Sequence, residues 1–333
     1  MQRFLIIAVA LCVFACNEEE PNSSDSTVHL AGVVDMPGGN TGDIGAGACY
    51  WKDGVYTPLT NEEINSGVTS LFVHKASVLI GGWKRIVNEI SPSVFWVDGQ
   101  ENVIDGTFAK TTLVAARDDR FFGVWFDGTN WVHNMNGGSQ PYMDTASNIW
   151  PISMALLHDD VYTSGCSYYQ SLHFTTDVQH AQYWKNGKLI FRETEYSNAL
   201  SIFIQGDDIY MAGHVYDNDP PKNIACYWKN GQRVELTDGA LPSIAKSVYA
   251  TDEHVYVAGM LDDQAVYWKD GVVISLTMEG AFSMANSIFI HEADVHVGGY
   301  ENGYPAYWKN GVRQTIENQD QKGQVKFVVV GEN

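Results

Sequence analysis

The chain has 333 residues, 45% of them hydrophobic, and is rich in Gly, Tyr and Trp. Its body of roughly 300 residues can bury a large core, which excludes a disordered chain. A formal charge of -20 repels phosphate backbones and anionic headgroups, so nucleic acid is excluded as a partner.

In chain order, one basic residue, Arg3, precedes an apolar run from Phe4 to Ala15 that is too short and too early to span a membrane. Residues 1–15 therefore read as an export signal. The run ends Leu11-Cys12-Val13-Phe14-Ala15-Cys16, which resembles the bacterial lipobox, with an aliphatic residue three places before the Cys and a small residue next to it. That resemblance implies a lipid such as palmitate on Cys16, hence a membrane partner through the anchor. Residues 16–26, Asn17-Glu18-Glu19-Glu20 among them, are polar and acidic and read as a flexible tether. An acidic run behind a lipidated Cys also resembles the export signal of Bacteroidota surface lipoproteins, which implies the outer membrane and exposure to the medium. Beyond the signal region Cys49, Cys166 and Cys226 remain, an odd number at irregular spacing with no disulfide or zinc framework.

Residues 27–333 are organised by a repeat. Tyr50-Trp51-Lys52-Asp53-Gly54, Phe95-Trp96-Val97-Asp98-Gly99 and Val124-Trp125-Phe126-Asp127-Gly128 are followed by four near-identical copies centred on Trp184, Trp228, Trp268 and Trp308. The Trp separations are 45, 29, 59, 44, 40 and 40 residues. A period near 40 is that of a four-stranded propeller blade. Within a unit, strand A is typified by Ser247-Val248-Tyr249-Ala250 and strand B ends in a small pair such as Ala258-Gly259. Strand C carries the Tyr-Trp, and Asn-Gly or Asp-Gly makes a type I′ hairpin into strand D. The repeated Trp residues are expected to fill the wedges between blades.

The first unit starts at strand B, with Val28-His29-Leu30-Ala31-Gly32, and has no strand A. The surplus run Val325-Lys326-Phe327-Val328-Val329-Val330 supplies it and closes the ring. The expectation is an all-β, seven-bladed propeller, its third blade (from Thr111 to about Asn134) short enough to leave six full blades and a degenerate one as the alternative. The chain resembles the lipid-anchored tandem-repeat propellers common in Bacteroidota, a resemblance that implies a fold and little about chemistry.

The A–B and C–D turns share one face of such a ring, and the B–C and D–A loops share the other. The B–C loops, including Trp83 to Pro92, Cys166 to His180 and His214 to Asn223, differ sharply between repeats, as expected of a binding face. With the D–A connection from Met135 to Trp150 they offer Trp83, Tyr142, Tyr168, Tyr169, His214, Tyr216, Tyr300 and Tyr304 as candidate ligand-binding residues, since flat rings beside hydrogen-bonding groups suit sugars or peptides. The competing reading is that these rings pack between loops. His173, His180 and His214 could converge near Cys166 and Asp177, and with Tyr168 and Tyr216 they are the only candidates for acid or base chemistry. His74, His158 and His291 share a turn position and read as surface residues. No HExxH, CxxC pair or calcium loop is present, and neither a metal nor another cofactor is expected. The favoured function is a monomeric binding module for a glycan or protein; the alternative is an extracellular polysaccharide lyase or hydrolase.

Overall fold

The computed structural model describes residues 26–35, 46–61, 65–85, 92–104, 113–117, 120–126, 130–135, 138–142, 148–169, 178–218 and 221–332. The export segment, Cys16, most of the tether, His173 and Asp177 lie outside them. Among the described residues, twenty-eight strands form seven four-stranded antiparallel sheets, one per blade. Six blades take their four strands consecutively. Blade one takes its inner strand, Gly323–Glu332, from the far end of the chain and pairs it with Ser26–Asp35, in a register that sets His29 opposite Val329. The closure expected from the surplus run is therefore the observed one, and it removes two open sheet edges.

The inner strands ring the axis: Gly323–Glu332, Ser66–His74, Leu113–Arg117, Asn148–Leu157, Ser197–Gln205, Ser243–Ala250 and Ser283–His291. Between neighbouring blades lie apolar wedges. Trp51, Trp96, Trp184, Trp228, Trp268 and Trp308 are essentially inaccessible to solvent. A buried indole still needs a partner for its N–H. Trp51 donates to the Glu317 carbonyl at 2.9 Å, Trp96 to the Leu59 carbonyl at 3.1 Å and Trp228 to the Glu193 carboxylate at 2.9 Å, each on the preceding blade's outward connection.

The rest of the repeated motif is spent on the turn face. Asn or Asp followed by Gly adopts positive φ at both positions, for example 50° and 83° at Asp53 and Gly54, as a type I′ turn requires. The same Asx side chain accepts the backbone N–H that opens strand B, from Val28 to Asp53, Val161 to Asn186, Ile209 to Asn230 and Val295 to Asn310, all at 2.8–2.9 Å. The motif lysines Lys185, Lys229 and Lys309 each pair with an Asp at the start of strand B, Asp160, Asp208 and Asp294, at 2.7 Å.

The Gly of strand B has a separate cause. In six blades the inner strand carries a β-bulge, and the carbonyl just before it presses on that Gly. A Cβ on Gly259 would sit 1.9 Å from the Ile244 oxygen, and one on Gly299 would sit 2.0 Å from the Met284 oxygen. No side chain fits there.

Blade three departs from the expected pattern. It is a full four-stranded blade running to Pro141, so the segment from Met135 onward is partly strand D (Gly138–Pro141) rather than a loop. Its Trp125 lies on the second strand, Arg120–Phe126, not the third. Trp131 on the third strand, Trp131–Met135, is the buried aromatic instead, edge-on to Phe126 and Trp150. The register explains the swap. Val114, whose N–H bonds to Ser70 as the Val248 N–H bonds to Ser201, pairs with Gly123. Counting two residues on puts Trp125 where blade six has Gly259.

Candidate functional site

Several residues expected on B–C loops sit on strands, because the ladders between strands B and C run further toward the loop face than turn residues alone suggest. Trp83 belongs to Ser77–Lys84, Cys166, Tyr168 and Tyr169 to Asp160–Tyr169, and His180 to Val178–Lys185. His214 and Tyr216 belong to Asp208–Asn218, Tyr300 to Asp294–Glu301 and Tyr304 to Tyr304–Lys309. Trp83 lies over Gly67, where a Cβ would approach its indole to 2.9 Å. Tyr142 is an interblade packing group rather than a loop-face ring: its hydroxyl bonds to Thr163 Oγ1 at 2.9 Å and its ring meets Trp184 edge-on at 5.8 Å. Desolvation pushes its phenol far up.

His180 and His214 do not converge. Ala181 packs in the wedge between blades four and five, so the preceding residue, His180, points away from blade five. Val215 packs in the same wedge, which turns His214 toward blade six. Burial and the nearby Lys246 lower the His214 pKa to about 4, keeping the imidazole neutral at physiological pH. Among the described residues no group of three or more His, Cys, Asp or Glu is placed to hold a metal. Cys49, Cys166 and Cys226 are buried and belong to no disulfide among the described residues.

What the loop face does present is an apolar, aromatic surface on blades six and seven. Met278 is 85% exposed and Phe282 55%, and Leu241 and Tyr304 are also exposed, all on D–A or B–C connections or their margins. Phe282 lies 5.8 Å from Tyr300, and Tyr196 meets Tyr216 at 5.0 Å on blade five. Asp263 stands close enough to Tyr300 to add to the desolvation that raises its phenol pKa. Tyr300 and Tyr304 are among the residues singled out in the sequence, whereas Leu241, Met278 and Phe282 are not, because isolated apolar residues in D–A connections have no periodicity to mark them.

Separate from that surface is the axial cavity, about 470 Å³, lined by the inner strands. Toward the turn face it is floored by aromatic rings, Phe203 lying 4.3 Å from Tyr249 and Tyr249 5.1 Å from Phe289. Around its waist the hydroxyls of Ser70, Ser153, Ser201, Ser247 and Ser287 accept the N–H of the next blade's inner strand, at 3.0–3.3 Å, stitching neighbours together.

The sheet topology defines the class, a seven-bladed β-propeller, and comparison with known proteins supports nothing narrower. No family model matches, and no curated protein matches. Among solved structures, two crystal structures of the acylaminoacyl peptidase of Pyrococcus horikoshii are similar, with TM-scores of 0.50 and 0.51 at 14% identity over 75% of this chain. The chain spans less than half of that peptidase, 45–46% of its length. The β-propeller domain of the Trilobed protease from Pyrococcus furiosus aligns over 74% of this chain and 82% of its own, at 11% identity and a TM-score of 0.45. At these identities the likeness is one of fold.

Proposed function

We propose that the protein is a binding module, anchored at the cell envelope through a lipid on Cys16, that holds a glycan through the loop face of blades six and seven. The observation that carries the reading is the exposed group Met278, Phe282 and Tyr304, with Tyr300 and Phe282 in ring contact beside Asp263. Exposed aromatic rings stack on the apolar faces of sugar rings, and neighbouring carboxylates accept hydrogen bonds from sugar hydroxyls. A side chain 85% exposed stabilises nothing in the fold, so its place on a rigid ring suits a partner.

A glycan array probed with the protein and with its Phe282→Ser/Tyr304→Ser variant tests this. Specific binding lost in the variant is the expected result, and binding retained there contradicts the assignment. Cleavage of a bound oligosaccharide would replace it with the lyase or hydrolase reading, and a silent array would replace the glycan with a protein partner. For the anchor, Cys16→Ser is expected to leave the membrane fraction and to lose palmitate labelling; retention in that fraction contradicts it.

A further inference from the structure

In six blades the inner-strand bulge places the residue that the ladder skips at the level of the axial cavity: Lys326 in blade one, Thr69 in blade two, Ile152 and Leu200 in blades four and five, Lys246 in blade six and Asn286 in blade seven. A bulge re-aims a side chain that the ladder would otherwise alternate away. The arrangement is two-sided. Lys246, Asn286 and Lys326 form a polar arc on three consecutive blades, while Ile152 and Leu200, with Trp150 beside them, form an apolar wall on two others.

Although the chain carries 40 Asp and Glu against 20 Lys and Arg, no carboxylate is among the described residues that line the cavity, and its two lysines are their only charged groups. Neither ammonium has a hydrogen-bond or ion-pair partner among the described residues. Asn286 Nδ2 is already engaged, donating to Gln324 Oε1 at 3.0 Å and the Val325 carbonyl at 2.9 Å, which fixes the amide between the two cations. Desolvation lowers the pKa of both lysines, and the charge on Lys326 lowers that of Lys246 further. Two like charges held in a desolvated cavity destabilise the empty protein unless something of opposite charge joins them.

We propose that the axial cavity is a binding site for a small organic anion, whose charged head sits between Lys246 and Lys326 and whose apolar body lies on the Ile152–Leu200 wall. The volume falls in the range of small-molecule sites. The bulge residues lie in the half of each inner strand nearer the loop face, and the aromatic floor closes the opposite half, so the ligand enters from the loop face. This site is separate from the surface on blades six and seven and does not depend on it.

The test is isothermal titration of the protein, purified from cells expressing the full chain, with four probes: benzoate, phenyl phosphate, benzamide and inorganic phosphate. Benzoate, phenyl phosphate or both are expected to bind at least about tenfold more tightly than benzamide and inorganic phosphate, and which of the two is tighter identifies a carboxylate or a phosphate head. Lys246→Met and Lys326→Met should each weaken binding about tenfold or more and the double variant should abolish it, while Lys309→Met on the turn face leaves it unchanged. Unliganded Lys246→Met should also melt at a higher temperature than the wild-type protein, since it removes an unpaired buried charge. The proposal is overturned if neither organic anion binds by about 10 mM, if the double variant binds as well as the parent, or if benzamide binds as tightly as benzoate. A lowered melting temperature of Lys246→Met would equally overturn it, by showing that the lysine is partnered within the fold.

Discussion

On the turn face, blade after blade repeats one pattern: an Asx side chain caps the start of strand B, a lysine pairs with an aspartate and a tryptophan closes the wedge behind them. At the bulge and in the loop-face connections the blades differ, from Lys246 to Leu200 at the bulge and from the two-residue Asp262-Asp263 turn to longer connections elsewhere. A side chain whose hydrogen-bonding groups are all used by its own neighbours has none to offer a partner. In this ring, then, repetition marks the positions that hold the fold together, and its loss marks side chains that the fold does not use.

The largest effect expected from breaking that division is at the closure. Ending the chain after Lys322 removes Gly323–Glu332, exposes Leu30 and Val34 and opens the ring, so the truncated protein should fail to accumulate in soluble form, whereas loss of residue 333 alone should not matter. Next comes the wedge. Trp228→Ala leaves a cavity and removes the indole hydrogen bond to the Glu193 carboxylate, and should cost about 3–5 kcal/mol, read from denaturant midpoints. Trp125→Ala, at the only repeated Trp that is partly exposed, should cost about 1 kcal/mol. Equal losses at the two sites would show that blade three is built like the others.

A smaller effect sharpens the comparison through pH. His214 has a native pKa near 4 against an ordinary 6.5, so between those values the unfolded chain takes up a proton that the native one refuses. Stability should therefore fall as pH drops from about 6.5 to 4, and be indifferent to this group above that window. His214→Phe should flatten that part of the profile, as followed by thermal melts across the range; a slope unchanged by the substitution would remove His214 from the account.

How far the sequence could be read follows the same line. Blade number, strand order, the type I′ hairpins and the closing strand were legible because each rests on a local rule repeated several times. The exception, Trp125, was misread as a third-strand residue because the motif looks intact there, while the register that moves it to the second strand depends on pairing with Val114. Tyr142 looked like a loop ring because nothing local shows that Thr163 and Trp184 lie across from it. Lys246 and Lys326 were invisible as a pair, since they stand 80 positions apart and meet only because two bulges aim them at one axis.

Melting two triple variants side by side shows whether stability lies in the repeated positions and the irregular surface is free of it. Asn186→Ala/Asn230→Ala/Asn310→Ala removes three caps at positive φ, each worth about 1–2 kcal/mol, and should lower the melting temperature by roughly 6–12 °C. Met278→Ser/Phe282→Ser/Tyr304→Ser should leave it within about 2 °C of the parent. A loss in the second variant as large as in the first would contradict the account, because the exposed group on blades six and seven would then belong to the fold and not to a partner.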